Sequence, residues 1–143
     1  MSYEERGQWV YIVAIVLTFG GYAAIVLGQA GSVPVTELDY LPTMVWAIGI
    51  AIALSIVGRI VMEIAWEMAR PGDSHQADVR DRDIGRLGEY FSGTMLGVGM
   101  VVPFALTLAK FDHFWIANAM YAAFALSALV GTAVKLVAYR RGF

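Results

Sequence analysis

The chain has 143 residues, of which 59% are hydrophobic and only 15% charged, and it carries a formal net charge of -2. Soluble domains average about 45–50% apolar and ~25% charged, so the length allows one domain and the composition points to the membrane class. Cysteine is absent, which excludes disulfides, thiol redox chemistry and cysteine metal sites, and the basic residues form no long run that would suggest a nucleic-acid partner.

In chain order, the first uncharged run covers residues 9–28. Its 20 residues match the length a helix needs to cross a hydrocarbon core of about 30 Å. It is long for the apolar part of a signal peptide, and Gly20-Gly21 is followed by more apolar residues, so a retained span is expected. The stretch AGSVPVTELDYLP then carries Gly31, Pro34 and Pro42 with Glu37 and Asp39, and reads as an ordered loop. The second span is expected at 41–62. Arg59, Glu63 and Glu67 follow one another at four-residue spacing, which places them on one side of that helix near its end. Arg59 is expected to snorkel or to pair with Glu63. Lys135 lies at a comparable level on the fourth span, so Arg59, Glu63 and Lys135 form the candidate polar cluster. A structural ion pair is the first expectation, and a vestibule of a transporter the alternative.

Pro71-Gly72 breaks the helix, and Asp73 or Ser74 is placed to cap the next one. That helix is expected to run through ADVRDRDIGRLGEY into the third span, with residues 67–89 forming the longest connection. Asp78 and Arg82, and Arg82 and Arg86, are four apart, while Arg86 and Glu89 are three apart, spacing suited to weak ion pairs on a solvated helix end. The functional alternative is a docking surface for a protein partner formed by Asp78, Arg80, Asp81, Arg82, Arg86 and Glu89. Anionic headgroups are a further candidate ligand at Arg80, Arg82 and Arg86, although the interleaved acids weaken any polybasic lipid site.

The third span is expected at 90–109, with a kink at Pro103, and the fourth at 114–134. The link LAKFDHFW between them is short enough to require an antiparallel hairpin. Small residues recur at four-residue intervals: Gly20, Ala24 and Gly28 on span one, Gly93 and Gly97 on span three, and Ala119, Ala123, Ser127 and Gly131 on span four. Such stripes let helix backbones approach closely in lipid. Packing within one copy of the chain is the first expectation, and a homodimer through the fourth helix the second. Asn118 is expected to hydrogen-bond across helices, and a kink beside Thr107 and Asn118 to open a pocket on the outer side.

The expected fold is therefore all-α, an integral membrane four-helix bundle, since backbone groups cannot remain unpaired in lipid. Of ten basic residues, nine (Arg6, Arg59, Arg70, Arg80, Arg82, Arg86, Lys135, Arg140 and Arg141) fall on one side of this topology and only Lys110 on the other. That bias places both termini and the 67–89 connection in the cytoplasm. Trp9 and Trp66 then fall at the inner boundary and Trp46 and Trp115 near the outer one, as interfacial anchors do.

The residues Asp78-Val79-Arg80-Asp81, followed by Arg82, Ile84, Gly88 and Tyr90, resemble the Asp-Glu-Arg-Asp motif of small uncharacterised bacterial membrane proteins that have four predicted spans and carry the motif before the third. Val79 stands where their commoner pattern has glutamate. The opening MSYEERGQWVYIV is similar to the start of small actinobacterial membrane proteins of unknown function. The resemblance implies a bacterial inner-membrane protein and carries no activity with it.

Chemistry within the spans is sparse. His75 and His113 are the only histidines and fall on opposite sides, which excludes a bis-histidine haem in the bundle. Asp73, His75 and Asp78 on one side, and Asp112 and His113 with Glu37 and Asp39 on the other, are better read as loop residues than as metal sites. No nucleophile elbow, HExxH or phosphate loop occurs, so neither an enzyme nor a cofactor is expected. Two function classes remain. One is a non-enzymatic accessory, sensor or regulatory protein presenting residues 78–89 to a partner. The other is a small homo-oligomeric transporter or channel using Arg59, Glu63 and Lys135. The first is preferred because no charged residue marks a route through mid-membrane.

Overall fold

A computed structural model describes residues 3–69 and 79–141. Among them are five α-helices and one short turn of 3-10 helix: α1 (Tyr3–Gln29), the 3-10 turn (Val35–Glu37), α2 (Tyr40–Ala69), α3 (Val79–Gly99), α4 (Val101–Leu108) and α5 (His113–Arg141). Four stretches are long and apolar enough to cross a membrane: Arg6–Gln29, Tyr40–Ala69, Val79–Leu108 and His113–Arg141. The third combines α3 and α4, interrupted at Met100. The cause of the break is Pro103, which has no N–H to offer the Gly99 carbonyl and whose ring crowds the preceding turn. The flanking bonds survive, from Met100 N–H to the Leu96 carbonyl at 2.9 Å and from Phe104 N–H to the Met100 carbonyl at 3.2 Å.

The hairpin between α4 and α5 is built from side-chain and backbone caps. Lys110 sits at φ 56°, the only non-glycine residue with positive φ among those described. Its N–H reaches the Thr107 carbonyl at 3.1 Å and that of Phe111 reaches Leu106 at 3.0 Å, the paired bonds of a Schellman ending. Two residues later the Asp112 Oδ1 accepts from the Phe114 N–H at 2.8 Å and caps the first turn of α5.

Helix α5 is the centre of the molecule and packs on α1, α3 and α4, while α2 is attached chiefly through α1. Each of the four long stretches runs antiparallel to the one before it, and α4 continues the direction of α3. Along α3 and α5 the pairs are Gly99 with Ala123 and Gly88 with Gly131. Side chains are small at these crossings because the backbones nearly touch. A Cβ on Gly131 would lie 2.7 Å from the Ser92 Cβ and 2.9 Å from the Gly88 carbonyl oxygen.

One end of the bundle is closed. Tyr22, Val26, Met44, Ala47 and Phe114 form a buried cluster, and Val35 and Leu38 of the first connection and Tyr40 at the start of α2 pack against it. Edge-to-face ring pairs tie this cap together, Tyr40 with Phe114 at 5.1 Å and Tyr22 with Tyr121 at 5.3 Å. Tyr22 donates its hydroxyl to Asn118 Oδ1 at 2.7 Å, joining α1 to α5, while Asn118 Nδ2 donates to the Phe114 carbonyl at 2.8 Å. Five other hydroxyls are satisfied within their own helices: Thr18, Ser55, Thr94, Thr107 and Thr132 each donate to the carbonyl four residues back.

Candidate functional site

The opposite end, where α1 begins and α5 finishes, is open. Helix α2 leans away from α3, and the gap between them becomes a cleft of about 490 Å³. All four long stretches line it: Gln8 from α1, Arg59 from α2, Glu89 and Ser92 from α3, Lys135 from α5. Apolar walls come from Val10, Ile56 and Met62.

Lys135 is placed by its neighbours. Its aliphatic stem lies over Gly88, so close that a Cβ there would collide with the Lys135 methylenes, and the lack of a side chain on Gly88 is what lets the lysine cross α3. The residue is half-buried. Among the described residues it has no ion-pair partner within 4 Å. Arg59 does have one: its Nε lies 3.5 Å from Glu63 Oε1, one turn along α2, with side chains 75% and 56% exposed. A pair that open is a weak tether. Of the expected polar cluster, Arg59 and Lys135 therefore line the same cleft, while Glu63, paired with Arg59, is not among its lining residues. The acid that lines the cleft with Lys135 is Glu89.

The charged opening turns of α3 are docked on α5 rather than free. Ile84 is 1% exposed and Gly88 is buried, and the Arg80 guanidinium donates to the Tyr139 carbonyl at 3.5 Å. Asp81 is half-buried, whereas Arg80, Arg82, Asp83, Arg86 and Glu89 are exposed. Asp78 lies outside the described residues, as do Asp73, Ser74 and His75.

The small-residue stripes divide sharply. Ala123, Ser127 and Gly131 are buried and Ala119 half-buried. With Ala123 against Gly99 and Gly131 against Gly88, the α5 face from which a homodimer was anticipated is occupied by α3 of the same chain. Gly20, Ala24, Gly28, Gly93 and Gly97 are exposed, and a Cβ on any of those four glycines would meet nothing within 4 Å. The kink at Pro103 opens a shallow groove of about 390 Å³ lined by Thr107 and Met120, but Asn118 is not part of its lining. Asp112 is committed to its cap, and no group of three or more metal-ligating acids or histidines occurs among the described residues.

Sequence reasoning missed Gly88, Ser92 and Gln8. Gly88 stood in the quoted motif, but a glycine beside a lysine stem announces itself only when the two helices are aligned. Compared with known proteins, the chain matches no family model, no curated protein and no solved structure.

Proposed function

We propose that this chain is a small integral membrane protein of the bacterial inner membrane and works as a non-enzymatic accessory, sensor or regulatory subunit, presenting the start of α3 to a protein partner. Support for embedding comes from apolar side chains that no part of the chain covers, such as Leu17 at 64%, Val45 at 65% and Leu108 at 69% exposed. Soluble proteins rarely leave contiguous apolar surface on this scale. Before Arg59, helix α2 is apolar all round, and only 11% of the apolar window in its candidate span is buried within the chain, a pattern suited to lipid. Arg6, Arg59, Arg80, Arg82, Arg86, Lys135, Arg140 and Arg141 gather at the open end and Lys110 at the closed end, which favours a cytoplasmic open end.

The observation that carries the partner reading is the anchoring of Ile84 and Gly88 on α5. It holds the helix in one orientation and leaves Arg82, Asp83 and Arg86 exposed on a rigid surface, so little ordering entropy is lost on docking. The test is native mass spectrometry of the protein extracted gently from its own membrane. A second polypeptide that is retained by the wild type and lost on Arg82→Glu supports the reading; its retention by the variant counts against it. A second reading, a small homo-oligomeric transporter, draws on the asymmetry between the aromatic closure at one end and the charged cleft at the other. It requires ion- or pH-dependent flux into vesicles that Glu89→Gln alters, Glu89 being the acid that lines the cleft.

A further inference from the structure

We propose that the cleft at the open end is a phospholipid site, in which Lys135 and Arg59 hold the headgroup phosphate of an anionic glycerophospholipid. The inference rests on the chain being membrane-embedded and is independent of whether α3 recruits a protein.

Three observations converge on this occupant. The first is charge: two cations, Arg59 and Lys135, line the cleft against the single lining acid Glu89, and Glu63, which lies 3.5 Å from Arg59, is not among the lining residues. A phosphodiester is the complementary charge for two cations in one cleft. The second is the state of Lys135, whose stem is pinned over Gly88 and whose ammonium has no ion-pair partner within 4 Å among the described residues. A half-buried, positioned cation is costly without an anion, and a phosphate supplies strong acceptors for it. Arg59 can add a second contact, because its guanidinium carries five N–H donors and its ion pair with Glu63 runs through Nε at 3.5 Å. The third is shape. The cleft exists because α2 fails to pack on α3, so it opens sideways between two candidate spans. Its lining sets the apolar side chains of Val10, Ile56 and Met62 beside the charges of Arg59, Glu89 and Lys135. A free phosphate ion has no use for the apolar part; a lipid has, since its acyl chains can leave along the open seam. Basic pockets between spans at the cytoplasmic side suit acidic headgroups for the same reason.

The test is native mass spectrometry of the purified protein in a neutral detergent, titrated with dioleoyl phosphatidylglycerol or with dioleoyl phosphatidylcholine. Lys135→Met preserves the stem that fills the space over Gly88 and removes only the charge. Retention of phosphatidylglycerol should fall about tenfold in Lys135→Met and in Arg59→Gln, the loss of one charge-assisted hydrogen bond. It should persist in Arg141→Gln and Lys110→Gln, which change net charge equally outside the cleft. Glu89→Gln should raise retention, a gain that a misfolded variant cannot mimic. Equal retention in all variants, equal loss in the two control variants, or a second copy of the chain occupying the cleft in place of lipid would overturn the proposal. An alkaline carbonate wash of the source membranes separates the two levels of argument. Release of the protein defeats the membrane reading itself; retention with an indifferent Lys135→Met defeats only the lipid site.

Discussion

Alanine at Gly131 should loosen the whole α3–α5 seam, whereas alanine at Gly93, ten residues before Pro103 on α3, should not. The new Cβ at Gly131 meets Ser92 Cβ at 2.7 Å and the Gly88 carbonyl at 2.9 Å, against 3.4–4 Å for ordinary contact. A backbone carbonyl within a helix cannot swing aside, so α3 must retreat by roughly 0.7 Å, enough to forfeit a quarter to a half of the dispersion attraction at each affected contact. Overpacking of this kind costs about 1–3 kcal/mol. Both substitutions also gain helix propensity of roughly 1 kcal/mol, and that gain cancels in the comparison. Around Gly93 there is nothing within 4 Å for a Cβ to strike. Gly131→Ala should therefore be less stable than Gly93→Ala by about 1–3 kcal/mol, measured as unfolding free energy in mixed micelles titrated with sodium dodecyl sulfate. Adding Ser92→Gly removes the closer of the two obstacles and should recover part of the loss. If the two alanine variants are equally stable, the close approach of α3 and α5 is wrong, and with it the placement of Lys135 over Gly88.

Other expectations address the caps and the closed end. Asp112→Ala removes the acceptor for the Phe114 N–H and should cost about 1 kcal/mol; Asp112→Asn, which keeps an acceptor, should retain most of it in the same unfolding assay. Lys110→Gly should stabilise the hairpin by up to about 1 kcal/mol, because glycine adopts φ 56° without the crowding that a Cβ brings. A variant no more stable than wild type would show that the turn is held by something other than its caps. Tyr22→Phe leaves Asn118 Oδ1 without its donor from α1 and should destabilise by about 0.6–2 kcal/mol. Loss on Tyr22→Phe and Asn118→Ala should be strongly non-additive in a double-mutant cycle, and simple additivity would mean that the bond contributes nothing.

Most of the secondary structure was legible in the residues because length and charge decide it. An uncharged run such as 9–28 has no low-energy alternative to a helix in lipid, and Pro103 and Pro34 punctuate regardless of what surrounds them. Local spacing was also informative: Arg59 and Glu63, four apart, meet within one helix at 3.5 Å. Asn118 offered a polar side chain amid apolar neighbours, and it bonds across to Tyr22. What could not be read was rotation. When a helix is apolar on every side, as α2 is before Arg59, no hydrophobic stripe marks the face that turns inward, and small residues mark only the faces able to receive a neighbour.

The sequence by itself determined four long apolar helices, their order and the gathering of basic residues at one end, because the length of each uncharged run and the position of each charge are fixed along the chain before any helix packs on another. Only the tertiary structure decided which small residues are used. Gly88 and Gly131 bring α3 against α5 while Gly20 and Gly28 face outward, although all four glycines are chemically identical. It decided, too, that Lys135 shares its cleft with Glu89 rather than Glu63, and that α2 stands apart from α3 to leave that cleft open. These outcomes depend on how the helices are turned and tilted against each other, a balance of many contacts of roughly 0.1–0.2 kcal/mol each that no short stretch of residues encodes.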